Sequence, residues 1–348
     1  MKAAILRGPG EIVVEEVPTP SPGAGEVLLK VDMAALCGTD QRVLRGEKAV
    51  DVEIVGHEIA GTVESVGEGV DTSCIGQRYA VQTVVGCGAC KACREHHQIF
   101  CTEGFKAIGY AWNGGFAEYM VVPKPAVEQN CLIELPDDMS PALGTMLEPI
   151  SCSVNGLRYL PLEEMERVVI LGAGIIGVYD GLVAKARGVE DVLIINRSQP
   201  KLDIIRELGL PFEYLVNSSE TDPVDWVMEH TDGQGVDGVV ASASAKELVN
   251  VALRMLKLGG HVSVFAGFDR ADPLAPIDLN LIHYRELHVH GANSSVRRDY
   301  LEAIDLLESG KIDGEALVTH TFPLDDIQEA IRVQADPEEH SLKILVQP

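Results

Sequence analysis

The 348-residue sequence predicts an α/β protein built on a doubly wound parallel sheet, preceded by a strand-rich region. Three observations predict this. Residues 1 to about 150 read as short strands and turns, whereas near Arg167 the texture changes to apolar runs alternating with amphipathic helical stretches. Gly172-Ala173-Gly174-Ile175-Ile176-Gly177 stands between one such apolar run and a helix, the setting of a Rossmann dinucleotide turn. At roughly 150 residues per domain, the length implies two domains.

In chain order, Ala3–Leu6, Glu11–Val17, Gly25–Ala34, Ile59–Val66 and Ala117–Val122 are β-branched or alternating runs and predict strands. Turn-rich segments such as 18–23 and Gly67-Glu68-Gly69 separate them. The runs Val168–Leu171, Val192–Ile195, Val236–Ala241 and His261–Ala266 predict buried parallel strands. Between them, Ile175–Arg187, Pro200–Leu208, Asp222–His230 and Lys246–Leu256 predict helices. A helix at Arg298–Ser309, another at Leu324–Gln334 and a strand at Ser341–Val346 close the chain. No internal repeat or low-complexity segment interrupts the pattern, and the domain boundary is expected near Gly156–Glu166.

The 53 acidic and 28 basic residues leave a net charge of −25. A field of that sign repels phosphate backbones and anionic lipid surfaces, which argues against a general nucleic-acid binder or a membrane-docked protein. The charge suits either ordinary acidic solubility or adaptation to high salt. No apolar run reaches the roughly 18 residues of a membrane span, and the N-terminal residues do not resemble a secretory signal. A cytoplasmic location is therefore expected, where thiols stay reduced and clustered cysteines point to metal rather than disulfides.

In the glycine turn, Gly172 permits the tight bend, Gly174 lets the backbone approach a pyrophosphate, and Gly177 packs helix against strand. Ile175 and Ile176 open the helix whose N-terminus faces the phosphates. Tyr179 and Asp180 are bulkier and more polar than that helix is expected to need. The acidic residue that would bind an NAD ribose some 20 positions on is replaced by Asn196-Arg197-Ser198, with Lys201 close behind. An amide in place of a carboxylate, beside an arginine, leans toward the 2′-phosphate of NADP. The alternative has Arg197 in solvent and Asn196 on the ribose of NAD.

Cys87, Cys90, Cys93 and Cys101 form a C-x2-C-x2-C-x7-C cluster suited to a closed, structural tetrahedral zinc. A redox Cys-x-x-Cys pair does not need four thiols, and an iron–sulfur cluster is the other competitor. His96 and His97, inside the loop, are expected to be exposed. A more dispersed set comprises Cys37-Gly38-Thr39-Asp40, Gly56-His57-Glu58 and Glu148-Pro149, each weak alone.

With Cys37-Gly38-Thr39, Gly56-His57-Glu58-x-x-Gly61, the four-cysteine lobe, Leu147-Glu148-Pro149 and the glycine turn in that order, the whole chain resembles the zinc-dependent medium-chain dehydrogenases. The likeness is to the polyol branch that includes sorbitol and threonine dehydrogenases. It implies a GroES-like catalytic domain over residues 1–156 carrying the zinc lobe at about 86–102. It further implies a Rossmann NAD(P)-binding domain over 157–290, and a segment 291–348 that partly completes the catalytic domain.

The resemblance also implies that Cys37, His57 and Glu58 hold a catalytic zinc. Glu148 would act as a further ligand or hold the metal's water, Thr39 would relay the proton, and Asp40 would support the site from behind. Arg42 stands where the family often has a proton-shuttling histidine and cannot perform that role. With Arg45 and Lys48 it forms a basic patch, read either as a solvated turn or as a contact for an anionic substrate.

Two zincs per chain, NAD(P), and a polyol, sugar or cyclitol substrate, phosphorylated or plain, follow from the resemblance. So does a homodimer or homotetramer joined through edge strands such as Glu286–Gly291. A hydroxy amino acid substrate, a zinc-free quinone reductase of the same fold and a catalytically silent NAD(P)H sensor are the rivals; the complete ligand set argues against the last two. Asn280–Leu287 resembles a stretch common among sugar-alcohol members, with His283 and Tyr284 as packing residues. Cys74, Cys131 and Cys152 are expected as buried thiols.

Overall fold

In the computed structural model, which describes residues 1–268 and 271–348, the chain falls into two units. One comprises Met1–Ser151, Ser295–Glu308 and Asp313–Pro348, the other Cys152–Ser294 and Ser309–Ile312.

The first unit is organised by two nine-residue antiparallel strands, Val27–Ala35 and Glu58–Val66. Alternation sends Val27, Leu29 and Val31 into the core and leaves Lys30 exposed. The full sheet runs Val318–Pro323, Lys343–Gln347, Val27–Ala35, Glu58–Val66, Arg78–Val81, Leu132–Glu134, with Tyr119–Val122 also paired to Val27–Ala35. A hairpin of Lys2–Gly8 and Glu11–Glu16 stands beside it.

Register decides what meets at one end of this sheet. Ala35 pairs with Glu58 on one side and with Leu345 on the other. Cys37 and His57, just outside the paired residues, and Lys343 on the third strand are thereby brought to the same sheet end. The 16-residue helix Pro141–Gly156 was not evident in the sequence; it carries Glu148 and tolerates Pro149 in its interior.

The second unit is a Rossmann-type sheet of six parallel strands. Their order is Tyr214–Asn217, Asp191–Asn196, Arg167–Leu171, Val236–Ala241, Leu256–Val264, His288–Gly291. The strand order reverses direction between Arg167–Leu171 and Val236–Ala241, the switch point at which such sheets bind ligands. One strand starts earlier than its apolar run suggests. Helix Glu247–Met255 passes directly into Leu256, which pairs with Val236; Lys257–Gly260 then bulge out, with Gly259 at φ +72°, before pairing resumes between His261 and Gly238. Among the described residues no helix is long and apolar enough to cross a membrane.

The glycine turn has the steric demands its sequence implies. Gly172 adopts φ +130°, and a Cβ on Gly177 would lie 2.0 Å from the Gly172 carbonyl oxygen. Helix Ile175–Ala186 is buried from Gly177 to Ala184, so Tyr179 and Asp180 are interior residues. Asp180 accepts a 2.6 Å hydrogen bond from the Ser242 hydroxyl. Burial pushes its carboxyl up to about 7, with Ser242 and Ser153 pulling weakly the other way.

That shift gives stability a pH dependence of known sign. The unfolded carboxyl ionises near 3.8 and the folded one near 7, so between these values the native state holds the extra proton. Stability should fall as pH rises through that window, by up to about 1.4 kcal/mol per unit, and level off above it. Asp180→Asn should remove this slope. Urea denaturation of both proteins from about pH 5 to 8 checks it; parallel curves would show that Asp180 does not titrate there.

Candidate functional site

At the sheet end set by the Ala35–Glu58 register, Cys37 caps helix Gly38–Leu44. Its sulfur accepts from the Thr39 amide at 3.5 Å, and the Thr39 hydroxyl lies 3.7 Å from the same sulfur. Asp40 closes the capping box by accepting from the Cys37 amide at 2.9 Å. Its other oxygen is 3.5 Å from His57 Nδ1 and has no hydrogen-bond partner among the described residues.

His57 is buried under Tyr110, whose hydroxyl is 2.9 Å from Nδ1 and 3.3 Å from Nε2. Burial alone would lower the His57 imidazole, but the negative charge of Cys37 and Asp40 outweighs it and raises the group well above 6.5. This corner of the sheet therefore attracts positive charge.

Glu58 is 1% exposed and forms an ion pair with the fully buried Lys343, whose ammonium also donates to the Leu36 carbonyl at 3.4 Å. Burial drives the Glu58 carboxyl up to about 7, against the pull of Lys343 and with added repulsion from Glu148. One donor atom each from Cys37, His57 and Glu58 lies within 4.8 Å of the others. A thiolate, an imidazole and a carboxylate, with an orphaned buried oxygen behind them, fit a zinc ion. Glu148 is buried on its helix and felt electrostatically by Glu58 and Tyr110, but it stands outside this close-packed set.

Cys87, Cys90, Cys93 and Cys101 likewise converge within 4.8 Å, all as free thiols. Backbone amides point at the sulfurs: Cys87 N to Cys101 at 3.3 Å, Cys90 N to Cys87 at 3.3 Å, Cys93 N to Cys90 at 3.5 Å. The amides of Cys93 and Thr102 bring Cys90 down to about 6, whereas burial and the neighbouring thiols push Cys93 up to about 12. Four sulfurs in a nest of amides fit a closed tetrahedral metal site. His96 is exposed and His97 lies 2.9 Å from an Arg298 nitrogen, so neither belongs to this set.

In the second unit, Gly174 caps helix Ile175–Ala186, is exposed, and has open space where a Cβ would stand; Ile175 and Ile176 are half-buried behind it. Asn196 braces the turn by accepting from the Ala173 amide at 3.2 Å and donating to the Ser198 carbonyl at 3.0 Å. Arg197 is exposed, and Lys201 is partly buried, which lowers its ammonium.

Several sequence expectations change. Arg45 is held in a two-pronged pair by Glu47 at 2.6 and 3.2 Å, with Arg42 3.8 Å from the same carboxylate. The cation that reaches the site's wall is instead Lys48, 3.6 Å from the centre of the Tyr110 ring. Cys131 is buried, but Cys74 and Cys152 are only half-buried. His283 and Tyr284 are exposed rather than packed, Tyr284 by 74%. Lys48 belongs to the basic patch read from the sequence, whereas Tyr110 and Lys343 were missed; a lone lysine inside the apolar run Leu342–Val346 was the one available signal.

Comparison with known proteins is consistent across the chain. Residues 23–137 match the family described as alcohol dehydrogenase GroES-like domain, and residues 176–309 match zinc-binding dehydrogenase. L-threonine 3-dehydrogenase from Thermococcus kodakarensis is 32% identical over 91% of this chain and 90% of its own length. Sorbitol dehydrogenase from Halalkalibacterium halodurans is 28% identical over 100% and 99%. The crystal structure of a zinc-binding dehydrogenase from Sinorhizobium meliloti bound to NADP has a TM-score of 0.88 at 29% identity, covering 100% of this chain and 99% of that one.

The buried Glu58–Lys343 pair makes a direct prediction. Lys343→Met should destabilise the protein by about 3–5 kcal/mol by leaving Glu58 without its cation, and adding Glu58→Gln should restore much of that loss. Denaturant unfolding of the two single variants and the double variant measures it; additive losses would show that the two side chains do not interact.

Proposed function

Because the chain belongs to the zinc-binding alcohol dehydrogenase family and is an NAD(P)-dependent alcohol dehydrogenase, we propose that it reversibly oxidises a secondary alcohol of a polyol, sugar or cyclitol to the ketone. The observation that carries this reading is the convergence of Cys37, His57 and Glu58 within 4.8 Å, with the Thr39 hydroxyl on the same sulfur. Those three side chains would hold the catalytic zinc and Glu148 would lie next to it, as a further ligand or holding the metal's water; the four cysteines of residues 87–101 would hold a structural one. When bound, the catalytic zinc supplies a Lewis acid that lowers the pKa of the substrate hydroxyl, and the nicotinamide accepts the hydride.

The chain's own residues do the rest. Thr39 Oγ1 takes the hydroxyl proton within hydrogen-bond reach. Asp40, facing His57 Nδ1, orients the imidazole. Lys343 keeps Glu58 anchored at the sheet end and limits its reach. Arg42 offers hydrogen-bond donors and no acceptor, so the proton leaves Thr39 through water or the cofactor ribose. Tyr110, fixed over His57 and carrying Lys48 on its ring, walls the site.

Glycines 172, 174 and 177, with Ile175 and Ile176, would take the pyrophosphate, and Asn196, Arg197 and Lys201 the adenosine ribose or its 2′-phosphate, with a lean to NADP. A hydroxy amino acid is the second reading of the substrate, favoured by the threonine dehydrogenase relative.

Metal analysis of protein dialysed free of loosely held ion should find close to two zincs per chain. Cys37→Ser and His57→Ala should each lose one zinc and turnover while still binding cofactor; full activity in either would overturn the site. Arg197→Ala should raise KM for NADP roughly tenfold to a hundredfold, the worth of one charge-assisted contact, and leave NAD unchanged. A panel of polyols, cyclitols, sugar phosphates and L-threonine with both cofactors separates the substrate readings.

A further inference from the structure

Three histidines meet on the second unit, separate from the zinc-ligand sets and the glycine turn. His261 lies on Leu256–Val264, and His288 and His290 on the neighbouring parallel strand His288–Gly291, the last strand of its sheet. The register pairs His261 with His288 and Ser263 with His290. Alternate residues share a face, so all three imidazoles project from the same side of the sheet edge.

One ring nitrogen from each lies within 4.8 Å of the others. His261 Nδ1 and His290 Nε2 are 3.1 Å apart, close to the roughly 3.3 Å between two donors on one tetrahedral zinc. No carboxylate pairs with the trio among the described residues. Tyr159 stacks on His290 at 5.8 Å and backs the cluster.

We propose that His261, His288 and His290 form a further metal site, which takes a divalent cation of the zinc, nickel or copper class through three imidazoles and fastens the edge strand to its neighbour. Imidazole nitrogen is the donor these ions favour, and hard cations such as magnesium and calcium prefer oxygen. Three donors leave a coordination position for water. The rings now lie almost parallel, His261 to His288 at 13° and His288 to His290 at 1°. Binding a common ion requires the exposed His288 to turn about its side-chain bonds and the N···N contact between His261 and His290 to open. Metal binding takes the neutral imidazole.

The test starts from protein replete in zinc, dialysed free of loosely held ion, so that the state of the two cysteine-containing sites does not enter. Calorimetric titration with Zn²⁺ alone should show one further equivalent per chain, and saturation should raise Tm. His288→Ala should weaken this binding by roughly tenfold or more, and His288→Ala/His290→Ala should abolish both the binding and the rise in Tm. If the double variant does not fold, the single substitution at the exposed position decides. Failure of wild-type protein to take up a further equivalent would reduce the cluster to an N–H···N hydrogen bond and overturn the proposal. Undiminished uptake by the variants would place the ion elsewhere and overturn it equally.

Discussion

A carboxylate buried at the end of three paired strands needs a cation beside it, and much of the first unit is arranged around that need. Glu58 cannot reach water, and Lys343 meets it from a strand 285 positions later. The pairing of Ala35 with both Glu58 and Leu345 makes the encounter unavoidable. The same register sets Cys37 and His57 side by side. A slip of one residue would send Glu58 to the other face of the sheet and scatter the donor set. The candidate site is thus a consequence of strand pairing, and its charges are balanced by elements that are far apart in sequence.

Local chemistry was the legible part. The glycine turn, the four-cysteine lobe and the Gly56-His57-Glu58 step each have a spacing that only a few structures satisfy, and each lies within one short segment. What sequence could not show is what long-range packing supplies. Tyr110 reaches His57 across the fold, Lys48 reaches Tyr110, and Lys343 reaches Glu58 from a different strand. Helix Pro141–Gly156 escaped notice because Pro149 reads as a breaker and its apolar residues are not confined to one stripe. The early start of the strand at Leu256 was hidden by the glycine-containing bulge Lys257–Gly260, which separates Leu256 from the apolar run that resumes at His261.

Positive charge is scarce in a chain with 28 basic and 53 acidic residues, and where it is placed matters more than its total. Arg45 is consumed by Glu47 and Lys343 by Glu58. Lys48 is turned onto an aromatic ring that touches the proposed zinc ligand. Arg197 remains exposed beside the glycine turn. A cation held by a partner is spent on structure, whereas an exposed one beside a phosphate-binding turn is available for recognition. This distinction moves attention from the patch around Arg42 to Arg197.

The distance along the chain between Glu58 and Lys343 also has a consequence in time. At about 5–20 residues per second, a ribosome needs roughly a quarter of a minute to a minute to make the intervening polypeptide. Throughout that interval the carboxylate lacks Lys343, the cation that accompanies it into an apolar environment in the folded chain. Metal delivered early would meet a flexible thiol, imidazole and carboxylate rather than a shaped pocket. A zinc held by Cys37, His57 and Glu58 would therefore find its shaped site only after Lys343 has been made, whereas the cysteine lobe is contained within residues 87–101.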